Sequence, residues 1–139
     1  MVDQLDPNAC TILVIDDDGI ILESIGRQLR NEPMEIDFES DPEHGLERIG
    51  ANSYDLVLCD IKMKPINGIE VLRRIKAAHD RLPVIIVSAF VDDQLFEEAK
   101  RIGCSDFLIK PVRKGTLVEA IWRVLAIHFP GRFPGGVSE

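Results

Sequence analysis

Five short apolar runs rich in β-branched residues punctuate the chain: TILVI at 11–15, MEIDF at 34–38, YDLVLC at 54–59, PVIIVS at 83–88 and DFLIK at 106–110. Four are close to continuously apolar, the pattern of strands covered on both faces, whereas the second alternates and suits a sheet edge. Between the runs the period becomes helical. Ile21, Leu22, Ile25 and Leu29 form one stripe, and Ile69, Leu72 and Ile75 form another behind Asn67, a residue suited to cap a helix. Asp41 followed by Pro42 joins a capping side chain to a proline in the first turn. Gly103 ends the fourth helical pattern, built on Leu95, Phe96, Ala99 and Ile102, as a left-handed cap would.

Strand then helix, five times over, implies parallel pairing through right-handed crossovers and hence a three-layer α/β sandwich. Five strands favour the flavodoxin-like order 2-1-3-4-5, in which ligands bind at the carboxyl ends of the strands, where strands 1 and 3 diverge. A chain of 139 residues closes one core. The expected division is an N-terminal extension over 1–10, one folded domain over 11–128, and a flexible tail or linker stump over 129–139. That last stretch, FPGRFPGGVSE, has prolines and glycines and no periodicity.

Charge narrows the partners. With 24 acidic and 16 basic side chains, the net charge is −8 and no basic run offers a footprint for nucleic acid or an anionic membrane. No stretch approaches the roughly 18 apolar residues of a membrane span, and MVDQLDPNAC lacks the basic and apolar regions of a signal peptide, so a cytoplasmic location is expected. Cys10, Cys59 and Cys104 are odd in number and far apart, which predicts free thiols, with Cys59 a small buried hydrophobe. His44, His79 and His128 fall on separate helical segments without ligand spacing, which argues against a metal site built on imidazoles.

The residues that close the strands carry the chemistry. Strand 1 ends in Asp16, Asp17 and Asp18, strand 3 in Asp60, strand 4 in Ser88 and strand 5 in Lys110 followed by Pro111. The proposed topology brings them to one sheet edge as an acidic pocket holding one hydroxyl and one ammonium. Clustered carboxylates repel unless a counter-charge joins them, and a hard divalent cation with oxygen ligands is the natural one, so the cluster predicts magnesium. A metal, a lysine and a hydroxyl are also what a phosphoryl group needs while it is transferred. One carboxylate is then the nucleophile, while Asp18, the last of the three, is expected to serve the start of the following helix and not the metal.

VIDDD, LVLCDIKMKPINGIEVL, VIIVSAF and DFLIKP occur in an order and at a spacing that resemble the receiver domain of two-component response regulators, from about Thr11 to His128. The resemblance implies that Asp60 accepts a phosphoryl group from a phosphohistidine on a sensor histidine kinase or phosphotransfer protein. It implies that Asp17 and Asp60 ligate Mg²⁺ (or Mn²⁺) directly, Asp16 through water, and Lys62 through its backbone carbonyl. Ser88 and Lys110 would contact phosphoryl oxygens, with a cis peptide between Lys110 and Pro111. Lys62 and Phe90 occupy positions that tune phosphoryl lifetime in that family; an apolar Phe90 screens the acyl phosphate, which implies slow loss. Ser88 and Phe107 would form the switch, resting on packing because Phe107 has no hydroxyl. One departure concerns the loop: the family usually has proline four residues after the acceptor, where Lys64 stands, with Pro65 following.

The last helix hints at an output surface. At about 100° per residue, Leu117, Val118, Ala120, Ile121, Trp122, Val124, Leu125, Ile127 and Phe129 cover an arc of about 220°, against the roughly 100° needed for one-sided packing. Trp122 is the candidate for the exposed part, the alternative being a ring folded under the tail. Homodimerisation through helix 4, strand 5 and helix 5 is the arrangement the resemblance implies. The downstream effector is unknown: eleven residues follow His128, too few for a DNA-binding or catalytic module, so a stand-alone receiver and a receiver cut from its effector both fit. A haloacid dehalogenase-like phosphatase is the alternative enzyme, since Asp16, Asp17, Asp18 and Gly19 fit its nucleophile pattern and Ser88 and Lys110 mimic its serine and lysine motifs. That class needs a further acidic pair after the lysine, where only Glu119 and Glu139 remain. A degenerate, unphosphorylated receiver would lack an acid, the hydroxyl or the lysine, and none is missing.

Overall fold

The computed structural model describes residues 10–89 and 92–133. Its elements are β1 (Thr11–Ile15), α1 (Gly19–Leu29), β2 (Glu35–Glu39), α2 (Pro42–Ala51), β3 (Leu56–Cys59), α3 (Gly68–Ala78), β4 (Val84–Ser88), α4 (Asp93–Ile102), β5 (Asp106–Ile109) and α5 (Lys114–His128). The five strands form one parallel sheet of order β2-β1-β3-β4-β5, as the strand-helix alternation predicts. β2 is an edge strand, and its alternating pattern is that of a strand with a solvent-facing side.

Side-chain alternation divides the core in two. Ile12, Val14, Leu56, Leu58, Ile85 and Val87 point to one face, where Ile25 and Leu29 of α1 and Leu117, Ile121 and Leu125 of α5 cover them. Leu13, Ile15, Val57, Cys59, Val84 and Ile86 point to the other, under Ile49 of α2, Ile69, Leu72 and Ile75 of α3 and Ala99 of α4. Central strands are therefore apolar at every position because both faces are covered.

Helix ends follow the chemistry of orphan backbone groups. Asp18 Oδ1 accepts from the Ile20 N–H at 2.9 Å, Asp41 Oδ1 from Glu43 at 3.0 Å and Asn67 Oδ1 from Glu70 at 3.0 Å, so α1, α2 and α3 all start on a side-chain cap. Gly103 closes α4 with φ of +120°, a conformation that penalises any Cβ. Among the described residues, no helix is long and apolar enough to cross a membrane.

Both ends of the domain differ from expectation. Cys10, assigned above to an extension, is buried in the core beneath α5. Residues 129–133, assigned to a flexible tail, pack on the α1/α5 side. Phe133 is 3% exposed, and Arg132 Nη1 meets Asp55 Oδ1 at 2.6 Å while the Arg132 guanidinium lies against the Phe133 ring. Proline and glycine end the helix here, yet two phenylalanines and an arginine return the chain to the base of β1 and β3. The Trp122 ring lies 6.1 Å from that of Phe133, and its Nε1 donates to Glu32 Oε1 at 3.0 Å. Trp122 is thus half-buried, and the exposed large apolar side chain on α5 is Ile127, at 70%. The wide apolar arc of α5 reflects two coverings, sheet on one side and tail on the other.

Candidate functional site

The register aligns the carboxyl ends of the strands. Ile15 pairs with both Glu39 and Cys59, and Ser88 with Ile109, so Asp16, Asp60, Ser88 and Lys110 all emerge at one edge. Asp16 is 2% exposed and Asp60 7%, whereas Asp17 is exposed. The Asp16 N–H donates to the Glu39 carbonyl and the Asp60 N–H to the Ile15 carbonyl, each at 3.1 Å, which continues the ladder and fixes both residues. Asp16 Oδ1 accepts from the Asp18 N–H at 3.0 Å, and Asp60 Oδ1 from the Ile61 N–H at 2.8 Å.

Lys110 enters between them. Its Nζ lies 2.7 Å from Asp16 Oδ2 and 3.5 Å from Asp60 Oδ1, and a cis peptide joins it to Pro111. A second cis bond joins Lys64 to Pro65, in the loop whose sequence departs from the family pattern. Burial and the neighbouring Asp16 charge push the Asp60 carboxyl above the usual carboxylate range, opposed by the Lys110 ammonium and the Ile61 N–H. One ligand oxygen from each of Asp16, Asp17 and Asp60 falls within 4.8 Å of the others. Three carboxylates against one ammonium leave room in charge and in donor type for a divalent cation.

These groups border a cleft of about 340 Å³ lined by Asp17, Asp18, Asp60, Lys62, Ser88 and Lys110. A larger cleft, about 490 Å³, lies at the far end of the sheet beside Tyr54, His79 and Arg81, and its lining holds no carboxylate. The convergent chemistry therefore resides in the smaller one. Ser88 is fully buried, with its carbonyl accepting from the Lys110 N–H at 2.9 Å. Phe107 stands half-buried on β5 and meets Phe96 of α4 edge to face, centroids 5.2 Å apart. Phe90 lies outside the described residues. Asp18, expected to serve the helix start and not the metal, caps α1, its Oδ1 accepting from the Ile20 N–H.

Residues 12–122 match the family described as response regulator receiver domain. The chain belongs to that family. Among curated relatives of this receiver domain, the transcriptional regulatory protein ZraR of Escherichia coli K12 is 33% identical over 115 residues, 83% of this chain and 26% of ZraR. The response regulator ArlR of Staphylococcus saprophyticus is 33% identical over 100 residues, 72% of this chain and 45% of ArlR. The chain thus spans from about a quarter to under half of these two relatives. Among solved structures, a receiver domain from Clostridium thermocellum superposes with a TM-score of 0.80 at 32% identity, covering 85% of this chain and 95% of that one. A CheY-like receiver from Methanospirillum hungatei JF-1 gives 0.85 at 26%, covering 88% and 98%. A receiver of two-component signalling accounts for the order, spacing and convergence of the strand-end residues.

Two residues that matter to the site's shape carried no chemical signal. Gly68 and Cys59 read as spacing and filler, yet both touch the main chain of Asp60. Only the eight-residue interval from Asp60 to Gly68 pointed toward one of them.

Proposed function

We propose that this receiver is a phosphoacceptor in which Asp60 takes a phosphoryl group from a phosphohistidine of a sensor kinase or phosphotransfer protein. The observation that carries the reading is Lys110 Nζ set between Asp16 and Asp60, in a cleft that also presents Asp17 and Ser88. Asp60 oxygen attacks phosphorus, the donor P–N bond breaks, and the P–O bond of an aspartyl phosphate forms as the donor imidazole departs. The Lys110 ammonium and Ser88 hydroxyl hold the phosphoryl oxygens. Asp16, Asp17 and Asp60, with the Lys62 carbonyl, are the residues to hold Mg²⁺ or Mn²⁺. Such an ion supplies charge neutralisation for clustered carboxylates and phosphate oxygens.

The added charge at Asp60 draws the Ser88 hydroxyl toward it, and Phe107 moves into the space vacated. Lys62 and Phe90 tune how long the phosphoryl group survives. The surface that reports the change is α4/β5/α5, where Phe96, Ile109 and Ile127 are 37%, 44% and 70% exposed and available to a partner or a second copy. This reading places the domain in the cytoplasm, facing the donor domain of its kinase.

Incubation with acetyl phosphate and Mg²⁺ tests the assignment. The expected result is a phosphoryl mass increment mapped to Asp60 and lost in Asp60→Asn. A label on Asp16 would instead indicate phosphatase-type chemistry and overturn it.

A further inference from the structure

The peptide group between Asp60 and Ile61 serves two parts of the molecule at once. Its N–H donates to Asp60 Oδ1 at 2.8 Å, so it is bonded to the carboxylate that performs the chemistry. Its C=O faces away, toward the start of α3. There it accepts from Cys59 Sγ at 3.3 Å and lies against Gly68. A Cβ on Gly68 would overlap the Asp60 carbonyl oxygen and stand 2.8 Å from its carbon and 2.9 Å from Ile61 Cα. The neighbours are backbone atoms, which cannot swing aside as a side chain can. The Gly68 N–H in turn donates to the Ile61 carbonyl at 2.8 Å, tying the helix start to the same two residues. Gly103, not Gly68, has the positive φ among the described glycines, so space and not backbone conformation demands glycine at 68.

A peptide unit is planar. Whatever sets the direction of its C=O also sets the direction of its N–H. We propose that Gly68, supported by the Cys59 thiol, is a positioning residue for the phosphoacceptor: it seats the Asp60–Ile61 peptide so that the Ile61 N–H engages Asp60 Oδ1 and holds the carboxylate in its reactive orientation. The proposal rests on the reading of Asp60 as acceptor. It adds a route by which α3, whose Asn67 cap and Gly68 form its first turn, governs the acceptor without touching substrate. Ile61 is 3% exposed, so its N–H has no ready alternative partner in water.

The test compares Gly68→Ala, Cys59→Ala and Ile75→Ala in the full chain. Ile75 is 1% exposed on the same helix, seven residues or about two turns beyond Gly68, so its truncation removes packing from α3 without adding an atom against the peptide. Two readouts are used: the Ile61 amide resonance, whose hydrogen bond to a carboxylate gives a downfield position, and phosphorylation by acetyl phosphate with Mg²⁺, resolved into KM and maximal rate. Gly68→Ala is expected to move the Ile61 resonance upfield and to lower the maximal rate about 10- to 100-fold with KM changed less than about twofold, the loss that misplacement near 1 Å brings. Cys59→Ala is expected to act in the same sense by about two- to tenfold, in line with one lost hydrogen bond. Ile75→Ala should lower the melting temperature and leave both readouts in place. A folded Gly68→Ala with parental resonance and rate overturns the proposal, as does an equal rate loss in Ile75→Ala. Should Gly68→Ala not fold, Cys59→Ala decides: an unmoved Ile61 amide and an unchanged rate overturn it. If the parent itself is not phosphorylated, the reading of Asp60 fails, while the amide shift still decides whether Gly68 seats the peptide.

Discussion

Phe133→Ala tests the packing of residues 129–133 against the domain. The ring is 3% exposed and lies beside Trp122, Phe129 and the Arg132 guanidinium, in the core cluster that includes Cys10 and Ile12. Truncating a buried phenylalanine in a core costs about 3–5 kcal/mol. Phe133 sits at the rim, where the chain can relax into the space, so about 2–3 kcal/mol is the appropriate figure. At about 2.1 cal/mol/K per residue, a domain of this length unfolds with an entropy near 0.3 kcal/mol/K, and the melting temperature should fall by about 7–10 °C. Trp122 is the single tryptophan in the chain and reports the local event separately from global unfolding. In the variant its native emission should shift to the red as the indole gains water, before any unfolding transition. Thermal melts followed by circular dichroism, with fluorescence read on the folded protein, measure both. A drop under about 2 °C together with unchanged emission would refute the docked tail and restore a domain ending at His128.

Other outcomes follow from the same structure. His128 is exposed at the end of α5, yet partial desolvation and the nearby Lys76 charge hold its imidazole below the usual histidine pKa, and its Nε2 lies 3.2 Å from Ser105 Oγ. A histidine depressed in the folded state favours folding above its unfolded pKa, near 6.5, and that contribution is lost as pH falls through the folded value. Stability should therefore decline from pH 7 toward pH 5 less steeply in His128→Gln than in the parent, by chemical denaturation at each pH. For the acidic cluster, Mg²⁺ at about 100 times its dissociation constant should add about 2.7 kcal/mol to the unfolding free energy. EDTA should remove this gain and Asp17→Asn should reduce it sharply, since Asp17 is the exposed carboxylate of the three and its loss leaves the buried pair in place.

Much of the fold was legible because its signals are local. Strand positions came from apolar runs bounded by turn residues, and the caps Asp41 and Asn67 are of the residue types that helix starts require. The acidic cleft was legible at one remove, since topology alone brings the ends of β1, β3, β4 and β5 together. Asp18 was separable from Asp16 and Asp17 because it directly precedes the helical pattern, where the free backbone N–H groups require a cap. The tail was misjudged because proline and glycine report a break in helix, not the destination of the chain beyond it. Phe133 finds Trp122, and Arg132 finds Asp55 across 77 positions, contacts that no sequence window spans. Gly68 was noticed for its spacing but not its purpose, because a missing side chain advertises nothing until its neighbours are in place.

The alternation of strand side chains has a further consequence. Ser88 and Phe107 share the sheet side of Ile86 and face α3 and α4, whereas Trp122 and Phe133 lie on the opposite side with α1 and α5. The sheet is a partition between two rooms. Ser88 and Phe107 occupy one and the docked residues 129–133 the other. Evolution can remodel the end of α5 and its attachments while the surroundings of Ser88 and Phe107 keep their packing.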